Sequence, residues 1–167
     1  MQVLEHLKQM SEESFLALYE FLSEKGFGPL DREVAVSLKF RPQAIRKLPM
    51  PQRARRARMI LTKGGKGELA YELFGSYLIK KDKALITDFL DQTGVAHEDG
   101  MIEDVEAASP EVEKIEPALA ALDEKYGAAD VTLYLSMCAA QWPDVPELDA
   151  AWRARLENAG SAPGVSP

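Results

Sequence analysis

Apolar side chains recur at helical spacing along almost the whole chain, and no stretch alternates with a period of two. Such a chain has no half-buried strand to offer a sheet, so it must bury its apolar stripes helix against helix. Proline and glycine mark where one helix gives way to the next. Ser11, ahead of Glu12 and Glu13, caps a helix that turns Phe15, Leu18, Tyr19 and Leu22 inward, and Gly26 ends it. His6 reads as a surface residue of the helix before it. Asp31 is placed to cap a short helix carrying Val34, Ala35 and Leu38. Pro42 and Pro51 each suit a first helical position, with Pro49 between the two helices and Gly64 after the second.

The next helices are the clearest. One, over about 67–80, lines up Leu69, Ala70, Leu73, Phe74, Tyr77 and Leu78. Asp82 starts another with Leu85, Ile86, Phe89 and Leu90, stopped by Gly94, and the tight join at Lys81 implies an antiparallel pair or a sharp bend. After Ser109-Pro110 comes a stripe of Val112, Ile115, Leu119, Leu122 and Tyr126, with a kink or fresh start expected at Pro117. Asp130 is placed to cap residues 131–140, which are apolar nearly all round and so belong to a central, buried helix. A last helix, from Pro146 to about Asn158, points Leu148, Trp152 and Leu156 inward. The expectation is an all-α chain of about eight to ten short helices, an irregular bundle or a short stack of helical hairpins. It reads as a single domain over 1–158 with a flexible tail over 159–167, where Gly, Ser and Pro leave little to bury.

Charge is distributed unevenly along this helical chain. Between Glu33 and Glu68 there is no acid but ten cations, from Lys39 to Lys66. The net charge is −7, so a segment at +10 sits in a chain whose remainder sums to −17. Residues 98–116 hold eight acids against one base, Lys114. Segregation of this kind marks a binding surface or an internal electrostatic clasp. Arginine dominates, and its planar guanidinium matches carboxylates and phosphates. Arg53, Arg55, Arg56 and Arg58 fan around a helix whose buried arc is Ala54, Ala57, Ile60 and Leu61, with Arg53 nearest that arc. Arg53 also falls in the first turn, where the helix dipole is itself positive, so a cation there is favoured only if an anion lies close.

The sequence-level expectation is a non-enzymatic interaction module. Its basic segment, residues 39–66, docks an acidic protein partner through Arg46, Lys47, Arg53, Arg55, Arg56, Arg58, Lys63 and Lys66. The alternative is a nucleic-acid-associated factor contacting phosphates through the same segment, though its one aromatic, Phe40, offers little for base stacking. A third reading, an enzyme of unidentified class, has no motif behind it. There is no Gly-x-Ser-x-Gly and no His-Glu-x-x-His, and Lys63-Gly64-Gly65-Lys66-Gly67 lacks the phosphate-loop spacing. The single cysteine, Cys138, lies in the apolar run and reads as a buried thiol. No cofactor is expected. Glu5, Glu12 and Glu13 spoil a signal-peptide pattern, and no apolar run is long enough for a bilayer, so a cytoplasmic protein is expected.

One acidic stretch, residues 95–106, partly matches a twelve-residue calcium loop. Asp99 falls at the fifth position, Gly100 at the turn glycine, Ile102 at the eighth and Glu106 at the twelfth. It departs from that pattern at Val95 and His97, which take the first and third ligand positions, so no metal is expected to bind.

Overall fold

The stripes and breaks of the sequence become helices in a computed structural model that describes residues 1–26, 28–39 and 41–160. The fold is all-α. Nine helices occur among the described residues: α1 (Gln2–Gln9), α2 (Glu12–Glu24), α3 (Pro29–Leu38), α4 (Pro42–Arg46), α5 (Met50–Thr62), α6 (Gly67–Gln92), α7 (Val112–Tyr126), α8 (Ala128–Gln141) and α9 (Pro146–Gly160). The expected break at the Lys81–Asp82 join is present as one extended residue inside α6, Asp82, at φ −157° and ψ 81°. Contacts gather into two units, divided along the chain between Lys81 and Asp82: Val3–Lys81 with Met1, and the chain from Asp82 onward with Gln2. No helix among the described residues is long and apolar enough to cross a membrane. Most of the expected tail, residues 161–167, lies outside the described residues.

In the first unit, α5 packs on α2 and α3, and α3 also packs on α4. Ser11 caps α2 as its sequence position implies, its hydroxyl accepting the Ser14 N–H at 3.0 Å. Phe15, Leu18, Tyr19 and Leu22 face inward, as do Ala54, Ala57, Ile60 and Leu61 of α5. Asp31 does not cap α3, which starts two residues earlier at Pro29 with Gly28 as its N-cap. Proline is pre-set for a first helical turn, and it leaves Asp31 free for another partner. Of the inward residues expected on α3, Ala35 is buried, and the side chains of Val34 and Leu38 lie outside the description.

His6 is not on the surface. It is 9% exposed and lies on the inner face of α1 with Val3 and Leu7, its ring edge-on to Phe74 at 5.7 Å. Burial disfavours the charged imidazole and pushes its pKa from 6.5 down to about 4. The unfolded chain therefore binds a proton near pH 6.5 that the folded chain refuses until about pH 4. Stability from neutral His6 is complete above pH 6.5, falls as pH drops towards 4, and is flat below. Between pH 8 and pH 5 the loss amounts to about 2 kcal/mol. Urea unfolding at the two pH values measures it, and His6→Leu should remove most of the difference.

In the second unit, α8 packs on α7 and α9, and α7 also touches α9. Along α8, every residue from Val131 to Ala139 except Thr132 is buried, including Ser136, whose hydroxyl bonds back to the Leu133 carbonyl at 2.6 Å. Asp130 lies in the first turn of α8 rather than capping it, because the helix begins at Ala128 behind Gly127. Pro117 does not end or restart α7, which runs unbroken through it. The proline is exposed, so water can reach the carbonyl it deprives of a donor. Polar ties finish the unit: Arg155 forks onto Asp123 with two 2.8 Å bonds, and Lys125 and Tyr126 both donate to Asp88. These donors hold the Asp88 carboxyl below its usual range.

Candidate docking surface

The ten cations of the basic segment divide by what they touch. Arg53 points back into the first unit, with only 11% of its side chain exposed. Its guanidinium bonds Asp31 at 3.3 Å and lies over the Tyr19 ring, and the Tyr19 hydroxyl donates to the other Asp31 oxygen at 2.5 Å. Burial, then the bond to Asp31, raise the Tyr19 pKa. Asp31 is thus the anion that a cation in the first turn of α5 requires. Arg58 turns to α1 and donates to the carbonyls of Leu7, Lys8 and Met10. Those are carbonyls that a helix end leaves unsatisfied, so Arg58 caps α1. Lys66 pairs with Glu33 at 2.6 Å.

The remaining site residues face outward. Arg46, Lys47, Arg55 and Lys63 are exposed and Arg56 is half-buried. Arg55 reaches Glu12 only at 3.8 Å, with both side chains about seventy per cent exposed, a contact worth little. Arg46, Lys47, Arg56 and Lys63 have no ion pair among the described residues. The buried arc of α5 fixes which positions form its outer face. Gln52, Arg56, Met59 and Lys63 follow one another at helical spacing opposite that arc, with Arg55 beside them. Met59 is 58% exposed, an apolar side chain set between cations. A cleft of about 380 Å³ runs beside this stripe, lined by Lys8, Glu12, Arg55, Arg58, Met59 and Thr62. Cations outnumber acids in it three to one. A second cleft, of about 350 Å³, holds Arg46 and Arg53, but Glu24 and Asp31 line it too and balance them.

Sequence reasoning placed the arginines on α5 and missed the partners of Arg53, Arg58 and Lys66, which lie on other helices. It also passed over Met59. The signal for Met59 was present, since a helical projection sets it directly opposite Ala54, Ala57 and Ile60.

In the second unit, the acidic stretch forms a tight turn. Glu98 and Met101 exchange two backbone hydrogen bonds, at 2.8 and 2.9 Å, around Asp99 and Gly100 at φ 52° and 86°. Two successive positive φ values define a two-residue turn in which glycine is the favoured residue. His97 secures it: Nδ1 accepts the Gly100 N–H, so Nε2 carries the proton and donates to Asp91, both at 3.0 Å. Lys83 pairs with Asp99, and Lys114 with Glu111 at 2.7 Å. Of the calcium-loop positions, Val95 is buried and has no side-chain oxygen, and Asp99 already serves Lys83. Millimolar calcium should leave the melting temperature unchanged, since a ligand selective for the folded state must raise it. A rise abolished by Glu106→Gln would reverse that expectation.

Among the described residues, no group of three or more His, Cys, Asp and Glu side chains is gathered as a metal ion would need. Cys138 is buried on α8, and burial pushes its thiol up to about 12, far from the thiolate a nucleophile requires. No protein-family model, curated protein or solved structure matches the chain.

Proposed function

We propose that the chain is a non-enzymatic helical interaction module that docks an acidic, partly apolar protein segment on the outer face of α5. One observation carries this reading: Arg55, Arg56 and Lys63 surround the exposed Met59, Arg56 and Lys63 with no ion pair among the described residues and Arg55 with only the loose, exposed contact to Glu12. The adjoining cleft gives an apolar side chain of the partner a place to sit, and the cations meet its carboxylates. Arg46, at the end of α4, and Lys47, just after it, are further exposed cations, and Arg46 lines the separate cleft beside Arg53. Arg53, Arg58 and Lys66 belong to the support beneath it, since each is committed to a partner in the first unit.

The test separates support from surface. Replacing Arg55, Arg56 and Lys63 with glutamine should change stability by less than about 1 kcal/mol, because exposed charges contribute little. A synthetic helical peptide pairing glutamate with leucine along one face should bind the wild type at ~50 mM salt, bind more weakly at ~500 mM, and lose affinity for the triple variant. Equal binding to both proteins would sink the reading. A mixed-sequence DNA duplex is the second probe. If it binds instead, with a salt slope that shrinks in the triple variant, the same cations serve phosphates.

A further inference from the structure

We propose that the acidic segment docked on α5 is the chain's own loop 98–106, supplied by a second copy of the protein; this rests on the docking reading above. The loop carries the complement of the α5 surface. Glu98, Glu103, Asp104 and Glu106 are all exposed, and of their four carboxylates only that of Asp104 is engaged among the described residues, accepting the Ala107 N–H. Between them stand two exposed apolar side chains, Met101 at 75% and Val105 at 42%. The α5 face presents the inverse pattern, cations around the exposed Met59 beside a cleft. The first part of the loop, residues 98–101, also arrives in a fixed shape, because the turn at Asp99–Gly100 is held by His97 and by its own backbone bonds. A preformed segment loses less conformational freedom on docking. The two patches are different surfaces, so copies related by a two-fold axis exchange both contacts and close as a dimer, whereas a head-to-tail contact closes into a larger ring or runs on as a chain.

Sedimentation velocity on the full chain is the test. At ~50 mM salt the mean mass should climb with protein concentration towards a dimer or beyond, and at ~500 mM it should return to the monomer. A monomer at every concentration in low salt overturns the proposal without any variant. Two charge reversals then locate the contact. The first is R55E/R56E/K63E. The second is E98K/E103K/E106K, which spares Asp99 and Asp104 because both are tied to other groups. Each variant alone should stay monomeric, because its two surfaces now carry like charge. Mixed together, they should associate again, since each reversed surface meets its opposite on the other variant. Circular dichroism confirms that both remain helical. Helical variants that fail to associate on mixing overturn the proposal. If the glutamate–leucine peptide binds α5 while the chain stays monomeric, self-docking fails and the docking reading stands. If neither is seen, both fail.

Discussion

Leu135→Ala lowers the unfolding free energy of the second unit by about 2–5 kcal/mol, the range for a core leucine cut back to its Cβ. Leu135 has no exposed surface and sits midway along α8, the helix that α7 and α9 both pack against. Its neighbours on either side, Tyr134 and Ser136, are buried as well, so the helix is enclosed at this position. The lost methyl groups therefore leave a cavity whose lining gives up its dispersion contacts. Both tryptophans of the chain, Trp142 and Trp152, lie in this unit and are buried, so fluorescence in a urea titration reads its unfolding directly. A loss below about 1 kcal/mol would show that α8 is not the centre of its unit.

The second large effect belongs to the first unit. Asp31→Ala should cost about 3 kcal/mol, because removing one member of a largely buried ion pair strands the other. Arg53 has 11% of its side chain exposed and its Nε is already without an acceptor, so the guanidinium cannot turn out to water without unpacking. Tyr19, 3% exposed, loses its acceptor in the same substitution. The penalty is mostly the stranded charge. Asp31→Ala with Arg53→Met should therefore recover part of the loss, whereas two independent sites would add. Thermal unfolding followed by circular dichroism reads it, since this unit has no tryptophan. A double variant less stable than the sum of the singles would show that the pair does not act as a unit.

Arg53 also shows why a run of arginines cannot be read as one surface. Arg53, Arg55, Arg56 and Arg58 fall within six residues, yet they meet four environments: a carboxylate of α3, a distant glutamate of α2, no acid at all, and the carbonyl end of α1. Helical projection gives the angle at which each leaves α5 and put Arg53 nearest the buried arc. What waits at that angle is set by α1, α2 and α3, whose sequences lie up to about fifty residues away. The acidic stretch behaves similarly. The turn glycine at Gly100 was visible, but not that His97 would spend both ring nitrogens holding the turn.

Most of the helices and most of their inward faces were determined by the sequence alone, the exceptions being the starts near Asp31 and Asp130, the run of α7 through Pro117, and Val112, which is 46% exposed. Apolar period, serine cap, proline and glycine breaks are local properties, and a helix forms from its own residues with hydrogen bonds that span four positions. Hence the burial of Phe15, Ala57, Leu135 and Trp152, and the break at Asp82, followed from spacing. The tertiary structure alone decided which charges are partners and which polar groups go inside. His6 is buried because α1 lays Val3 and Leu7 inward and His6 lies between them on the same face, against Phe74. Asp31 pairs with Arg53 because α3 and α5 are neighbours, and Lys66 finds Glu33 across 33 positions of chain. An ion pair acts over a few ångströms of space with no regard for sequence separation, so its partners become known only once the helices are packed.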